Sequence, residues 1–263
     1  MSGTVIGDAL TALTDEIPRV DDIRAERVCL GLGYTGVKLD TGHAGLCYTL
    51  QRETWLRCCQ ASRRAGTLAG SRAVELANLA ASWDIGERVV GVASLNALSQ
   101  IVLEGKPKRY LITRGNLIED LEIGGRDVVA LVGNIRPFVS VIKEKAKELY
   151  VLERNPMLRE EGVLPSEACE EVLPRADIVI ITGSALANGT IDRLLELSSR
   201  AREVALVGAS ASLIPEPLFK RGVTAVGCVR IPDPDWVMRI VAEGGGTHQL
   251  RAAVDFIVVR PRV

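Results

Sequence analysis

Hydrophobic positions along this chain change period three times. Val5, Ile6, Leu10 and Leu13 recur at helical spacing and predict an opening helix over residues 4–17. Three short strand-like runs follow, residues 27–32, 35–39 and 45–50, with connections brief enough that an antiparallel meander is expected. The period then returns to helical. Ser71 caps a predicted helix reaching Trp83, whose Ala73, Ala77 and Ala80 form a small-residue face suited to close packing. Residues 87–104 are apolar nearly all round (Val89, Val92, Ala93, Leu95, Leu98, Val102), the mark of a central buried helix. Asn96 interrupts that surface. A buried amide without partners costs about 1–3 kcal/mol, so it bonds either neighbouring backbone or a ligand.

Lys106-Pro-Lys-Arg109 reads as a basic joint, and residues 117–125 carry further charge and glycine. The expected domain boundary lies between them, giving units 1–108 and 118–263. Beyond it, apolar runs at 128–132, 148–152, 178–181, 204–207 and 223–229 alternate with helical patterns at 136–147, 166–173, 190–199, 215–221 and 234–242. Residues 254–259 add a last strand. This alternation predicts a doubly wound, mostly parallel α/β sheet with right-handed crossovers, preceded by a small α+β unit.

Composition narrows the function. The 263 residues carry 32 basic and 33 acidic side chains with no like-charge block, and aromatics are only 4%. Nucleic acid and membrane surfaces are therefore not expected partners, whereas a small-molecule ligand is, with a homodimer as the default assembly. Residues 1–8 lack a signal-peptide pattern and no apolar run reaches about 18 residues, so a cytoplasmic location is expected. Six cysteines (29, 47, 58, 59, 169, 228) form no C-x-x-C pair. Buried reduced thiols and a soft-metal site assembled in space both remain open readings.

The run at 178–181 is β-branched and wholly apolar, as in a strand buried on both faces. Thr182-Gly183-Ser184 breaks it, and Asn188-Gly189-Thr190 offers caps for a helix from Ile191. Hydroxyls and free N–H groups are thus expected at the carboxyl edge of the sheet, where open α/β sheets bind ligands. At the same edge Gly133 and Asn134 follow the first strand, without the G-x-G-x-x-G fingerprint of ordinary NAD or FAD sites. Glu153, about twenty residues on, stands where a carboxylate would hold a ribose diol, or simply pairs with Arg154 or solvent. Gly208, Ser210 and Ser212 form a third turn able to cradle an anion. Asp233 and Asp235 have the spacing of hard-metal ligands, and equally that of helix-start carboxylates. His43, in a glycine-flanked turn, is the candidate acid–base residue, against a plain solvated turn. No nucleophile elbow, zincin motif or Walker loop is present.

Several motifs, taken together and in order, resemble a known family. Gly31-Leu-Gly-Tyr-Thr-Gly-Val37, Gly45-Leu-Cys-Tyr-Thr-Leu50 and Gly91-Val-Ala-Ser-Leu-Asn-Ala-Leu98 are similar to its N-terminal domain. Tyr150-Val-Leu-Glu-Arg-Asn-Pro156, Leu173-Pro-Arg-Ala-Asp-Ile-Val-Ile-Ile-Thr-Gly183, Asn188-Gly-Thr190 and Leu218-Phe-Lys-Arg-Gly-Val223 are similar to its C-terminal domain. The family is the one described as putative heavy-metal chelation. The resemblance implies an enolase-N-terminal-like domain joined to a Rossmann-like domain, with a cleft between them. It also implies that Glu153, Thr182, Gly183, Asn188, Gly189 and Thr190 lie near the site. The chain departs from the family at residues 208–212, where proline and threonine are usual. The expected function is binding of a small anionic or nucleoside-like ligand, or a metal complex, in the interdomain cleft. A non-catalytic metal-delivery protein is the alternative, and an NAD-type oxidoreductase is weakened by the missing glycine fingerprint.

Overall fold

The computed structural model describes residues 3–54 and 62–262. Cys58 and Cys59, and any soft-metal site that would use them, lie outside the described residues. The opening helix is Val5–Glu16, started by Thr4, whose hydroxyl accepts from the Gly7 N–H at 3.1 Å. Strands β1 (Ala25–Leu30), β2 (Tyr34–Leu39) and β3 (Ala44–Tyr48) form the antiparallel meander that the short connections predict. A short helix, Ala73–Asn78, leads to the central helix Ile85–Gly105, where Asp84 caps the first turn by accepting from the Glu87 N–H at 3.0 Å.

The second sheet has eight strands. They are β4 (Tyr110–Arg114), β5 (Val128–Val132), β6 (Glu148–Glu153), β7 (Val163–Pro165), β8 (Ile178–Thr182), β9 (Glu203–Val207), β10 (Ala225–Arg230) and β11 (Asp255–Pro261). Their order is β4-β11-β10-β9-β8-β5-β6-β7. The six strands from β7 to β10 are parallel and stand in the order of a doubly wound dinucleotide-type sheet, with its switch point at β5. β11 runs antiparallel to β10, and β4 antiparallel to β11.

Several short elements differ from the periodicity reading. β4 and β7 are short strands that no alternating pattern announces, and β4 lies in the segment expected to be a joint. Residues 184–188, expected as turn, form the short helix Ser184–Asn188, closed by Gly189 at φ +78°. Its run of small and apolar residues is only one turn long, too short for a helical period to show.

The central helix is apolar all round because it is covered all round. Leu95, Leu98 and Val102 share one core with Val5 and Leu13 of the opening helix and with Val179, Ile181, Val226 and Ile257 on one face of the large sheet. The opposite face packs Leu131, Ile180 and Val258 against Phe138 and Ile142 of the helix Arg136–Lys145. Two glycines set how closely the helix is approached. A Cβ at Gly91 would stand 1.9 Å from Ala80 N, and one at Gly45 of β3 would stand 2.2 Å from Ala93 O.

Gly91→Ala is therefore expected to destabilise by at least the roughly 1–3 kcal/mol typical of overpacking, because the obstacle is backbone and cannot rotate away. Chemical denaturation of the variant checks this. Because one core runs beneath both segments, a fragment of residues 118–263 is expected to lose cooperative melting. A sharp calorimetric transition in that fragment would show two independently folding domains instead.

Candidate functional site

The turns at the carboxyl edge of the sheet are fastened chiefly to one another. A Cβ on Gly133, which sits at φ +100°, would lie 2.9 Å from Thr182 Cγ2, so Thr182 packs against the turn after β5. Gly183 donates its N–H to Val207 O at 2.7 Å and approaches Ala211 N so tightly that a Cβ would stand 2.6 Å away. Ser184 makes long contacts with the Thr182 hydroxyl, from its own hydroxyl at 3.4 Å and from its N–H at 3.5 Å. The two oxygens of Glu153 accept the N–H groups of Asn134 at 2.9 Å and Asn155 at 2.7 Å. Asn134 in turn donates its amide to Leu158 O at 2.9 Å.

Residues 208–212 are covered. Ser210 and Ser212 are buried and their hydroxyls are engaged: Ser210 Oγ accepts from Tyr48 N at 2.8 Å, and Ser212 Oγ accepts from Val229 N at 3.2 Å. Gly208 adopts φ +118° at the bend. The Asn96 amide finds backbone, as one of its two readings required, donating to Leu46 O at 2.8 Å and Ser210 O at 3.0 Å. Its Oδ1 is left without a partner among the described residues.

At the Asn188-Gly189-Thr190 turn, Asn188 Oδ1 accepts from both the N–H (3.1 Å) and the hydroxyl (2.8 Å) of Thr190. Gly189 ends the helix Ser184–Asn188, whereas the turn was expected to cap the following helix, Ile191–Leu197, which has no side-chain cap. The two aspartates proposed as metal ligands are also divided between structural tasks. Asp233 caps the helix Pro234–Ala242 by accepting from Trp236 N at 3.0 Å. Asp235 pairs at 2.8 Å with Lys38, whose ammonium hydrogen-bonds its carboxylate and holds its pKa below the ordinary value. Among the described residues no group of three His, Cys, Asp or Glu is placed to hold a metal ion.

A concavity opens at the end of β10. It measures about 670 Å³ and lies between the turn before β3, the last turns of the central helix and strands β4 and β11. His43 lines it, so this histidine does reach the cleft. Its Nδ1 is 3.0 Å from the Thr41 hydroxyl and its Nε2 is 3.5 Å from Glu104 Oε2. Gln100, only 2% exposed, donates Nε2 to Val229 O at 3.1 Å, and nothing described takes its Oε1. Arg230 also lines the cavity, but its charge is met by Asp255 at 2.7 Å. The remaining walls include the apolar Leu103, Ile112 and Ile257.

Gln100, Glu104 and Arg230 escaped the sequence reading. A signal for the first two existed: Asn96, Gln100 and Glu104 recur every fourth residue and draw one polar stripe along an otherwise apolar helix. Arg230 had none, because only the antiparallel return of β11 brings Asp255 beside it.

Two family models, both described as putative heavy-metal chelation, match residues 116–260 and 13–99. A crystal structure of a protein of unknown function from Pyrococcus horikoshii superposes with a TM-score of 0.83 at 24% identity, over 98% of this chain and all of that one. A second, from Desulfitobacterium hafniense, gives 0.79 at 24% identity over 99% and 100%. At this identity both show the fold alone. An uncharacterized protein of Methanocaldococcus jannaschii is 37% identical over 165 residues, which is 61% of this chain and 61% of that protein.

Asp233→Ala is expected to cost about 1 kcal/mol as a lost helix cap. It should leave the binding of added zinc or cadmium, measured by calorimetry, as it is in the parent chain.

Proposed function

The chain belongs to the family described as putative heavy-metal chelation, and on that footing we propose that it binds a small, nucleoside-like molecule in the cavity beside His43. The observation that carries this reading is the convergence of His43, Gln100 and Glu104 on one largely apolar space of about 670 Å³. Small-molecule sites have this size and this balance of apolar wall and a few polar groups.

The hydrogen-bonding inventory selects the ligand class. Gln100 Oε1 and the Glu104 carboxylate are acceptors, and the Arg230 cation is already paired with Asp255. A flat ring against Leu103, Ile112 and Ile257, with hydroxyl or amino groups reaching Gln100 and Glu104, meets every demand of the cavity. A small anion would face the Glu104 carboxylate. His43, held by Thr41 on one nitrogen and Glu104 on the other, presents its ring at the wall of this cavity.

The metal in the family's description fits the described donors poorly. Burial pushes the thiols of Cys47 and Cys228 up to about 12 and that of Cys169 to about 11, whereas metal ligation requires thiolate. These cysteines stand in β3, β10 and the helix Cys169–Val172, each away from any group of three candidate ligands among the described residues.

A panel of nucleosides followed by thermal shift and titration calorimetry tests the proposal, alongside mass spectrometry of small molecules that copurify. Gln100→Leu and His43→Gln are each expected to weaken binding about tenfold, roughly 1.4 kcal/mol. His43→Gln should do so with little change in melting temperature. Wild-type binding that survives both substitutions would place the ligand elsewhere.

A further inference from the structure

Arg88 leaves the central helix near its start, the end opposite the His43 cleft. Its guanidinium is partly buried, and its Nε is shut off from solvent with no acceptor. Among the described residues its one bond is from an Nη to Leu186 O, a long 3.3 Å. The other partly buried arginines are better served. Arg221, Arg230 and Arg260 each pair with a carboxylate, and Arg159 donates to two carbonyls. No carboxylate pairs with Arg88 among the described residues. Removing a cation from water without an opposite charge is costly, and burial accordingly pulls its pKa below the ordinary arginine value.

The guanidinium lies against an exposed turn. Both its terminal nitrogens are 2.6 Å from the point where a Cβ on Gly189 would stand. Glycine is thus required there twice, by φ +78° and by the room the guanidinium takes. Beside it, Asn188 spends its Oδ1 on both groups of Thr190, and its side-chain N–H donors have no partner among the described residues. An unneutralised guanidinium and a free amide donor therefore meet at an exposed glycine turn.

We propose that Arg88, with the Asn188-Gly189 turn, forms an oxyanion site for a phosphate or carboxylate group, separate from the His43 cleft. The guanidinium supplies planar donors in the geometry such groups accept, and the anion supplies the opposite charge that the fold does not.

The competing role for Arg88 is a cap on the carbonyls that end the helix Ser184–Asn188, and stability separates the two. Inorganic phosphate and acetate are titrated into the full-length protein at constant ionic strength, with the melting temperature and the calorimetric Kd as readouts. Either anion, but not matched chloride, is expected to raise the wild-type melting temperature. A response to phosphate alone assigns a phosphoryl group, and a response to both assigns oxyanions in general. Arg88→Met should abolish the response while melting, without added anion, no lower than wild type, because a costly unpaired charge has gone. Asn188→Asp keeps the Oδ1 acceptor and should weaken phosphate about tenfold through charge alone. It serves also if Arg88→Met does not fold. Nucleoside binding in the cleft should persist in both variants. The proposal is overturned if neither anion stabilises wild type, if Arg88→Met or Asn188→Asp keeps the full response, or if Arg88→Met melts well below wild type with no anion effect to lose.

Discussion

Backbone pressed on backbone at the central helix is the constraint on which the rest of this structure depends. At Gly91 the turn around Ala80 touches the helix, and at Gly45 strand β3 touches it from another side. Side chains cannot mediate such contacts, so the meander, the helix and the face of the large sheet are held in one core. The sheet alone would leave Val179, Ile181 and Val226 facing water. The helix covers them, and its own apolar circumference is the counterpart of that need.

That arrangement determines where a cavity can exist. Along the helix the polar stripe Asn96, Gln100, Glu104 passes from a fully buried amide bridging β3 and residues 208–212, to an amide with one free oxygen, to a half-exposed carboxylate beside His43. The first member is consumed by packing and the last two face the open space. The carboxyl edge nearer the switch point is occupied by interlocked turns, with Thr182 over Gly133 and Gly183 against Ala211. The cavity proposed for a ligand opens at the end of β10.

The same packing bears on the family's description. Cys47 and Cys228 are drawn into the core, where thiolates are disfavoured, and Asp233 and Asp235 go to a cap and an ion pair. Among the described residues, the polar groups that remain unspent include the Asn96 and Gln100 amide oxygens, one Glu216 oxygen, a histidine–glutamate pair and, at the far end of the helix, the Arg88 guanidinium. These suit organic ligands and oxyanions better than soft metals.

The sequence by itself determined the layers. Period-two runs with short links required a meander, unbroken β-branched runs such as 178–181 required a buried parallel sheet, and a helix apolar on every side required burial between the two. Those properties are local, because side-chain period follows backbone geometry. Only the tertiary structure decided which polar residues are spent and which are free. Ser210, Ser212, Glu153 and Asp235 look like ligand residues in one dimension, yet each meets a partner from a distant stretch: Tyr48, Val229, Asn134 and Lys38. Gln100 and Arg88 look ordinary in the chain, and stand out because the elements packed around them bring no partner for an oxygen and a charge. Satisfaction of a polar group depends on what lies within about 3 Å of it, and residues far apart in sequence supply that.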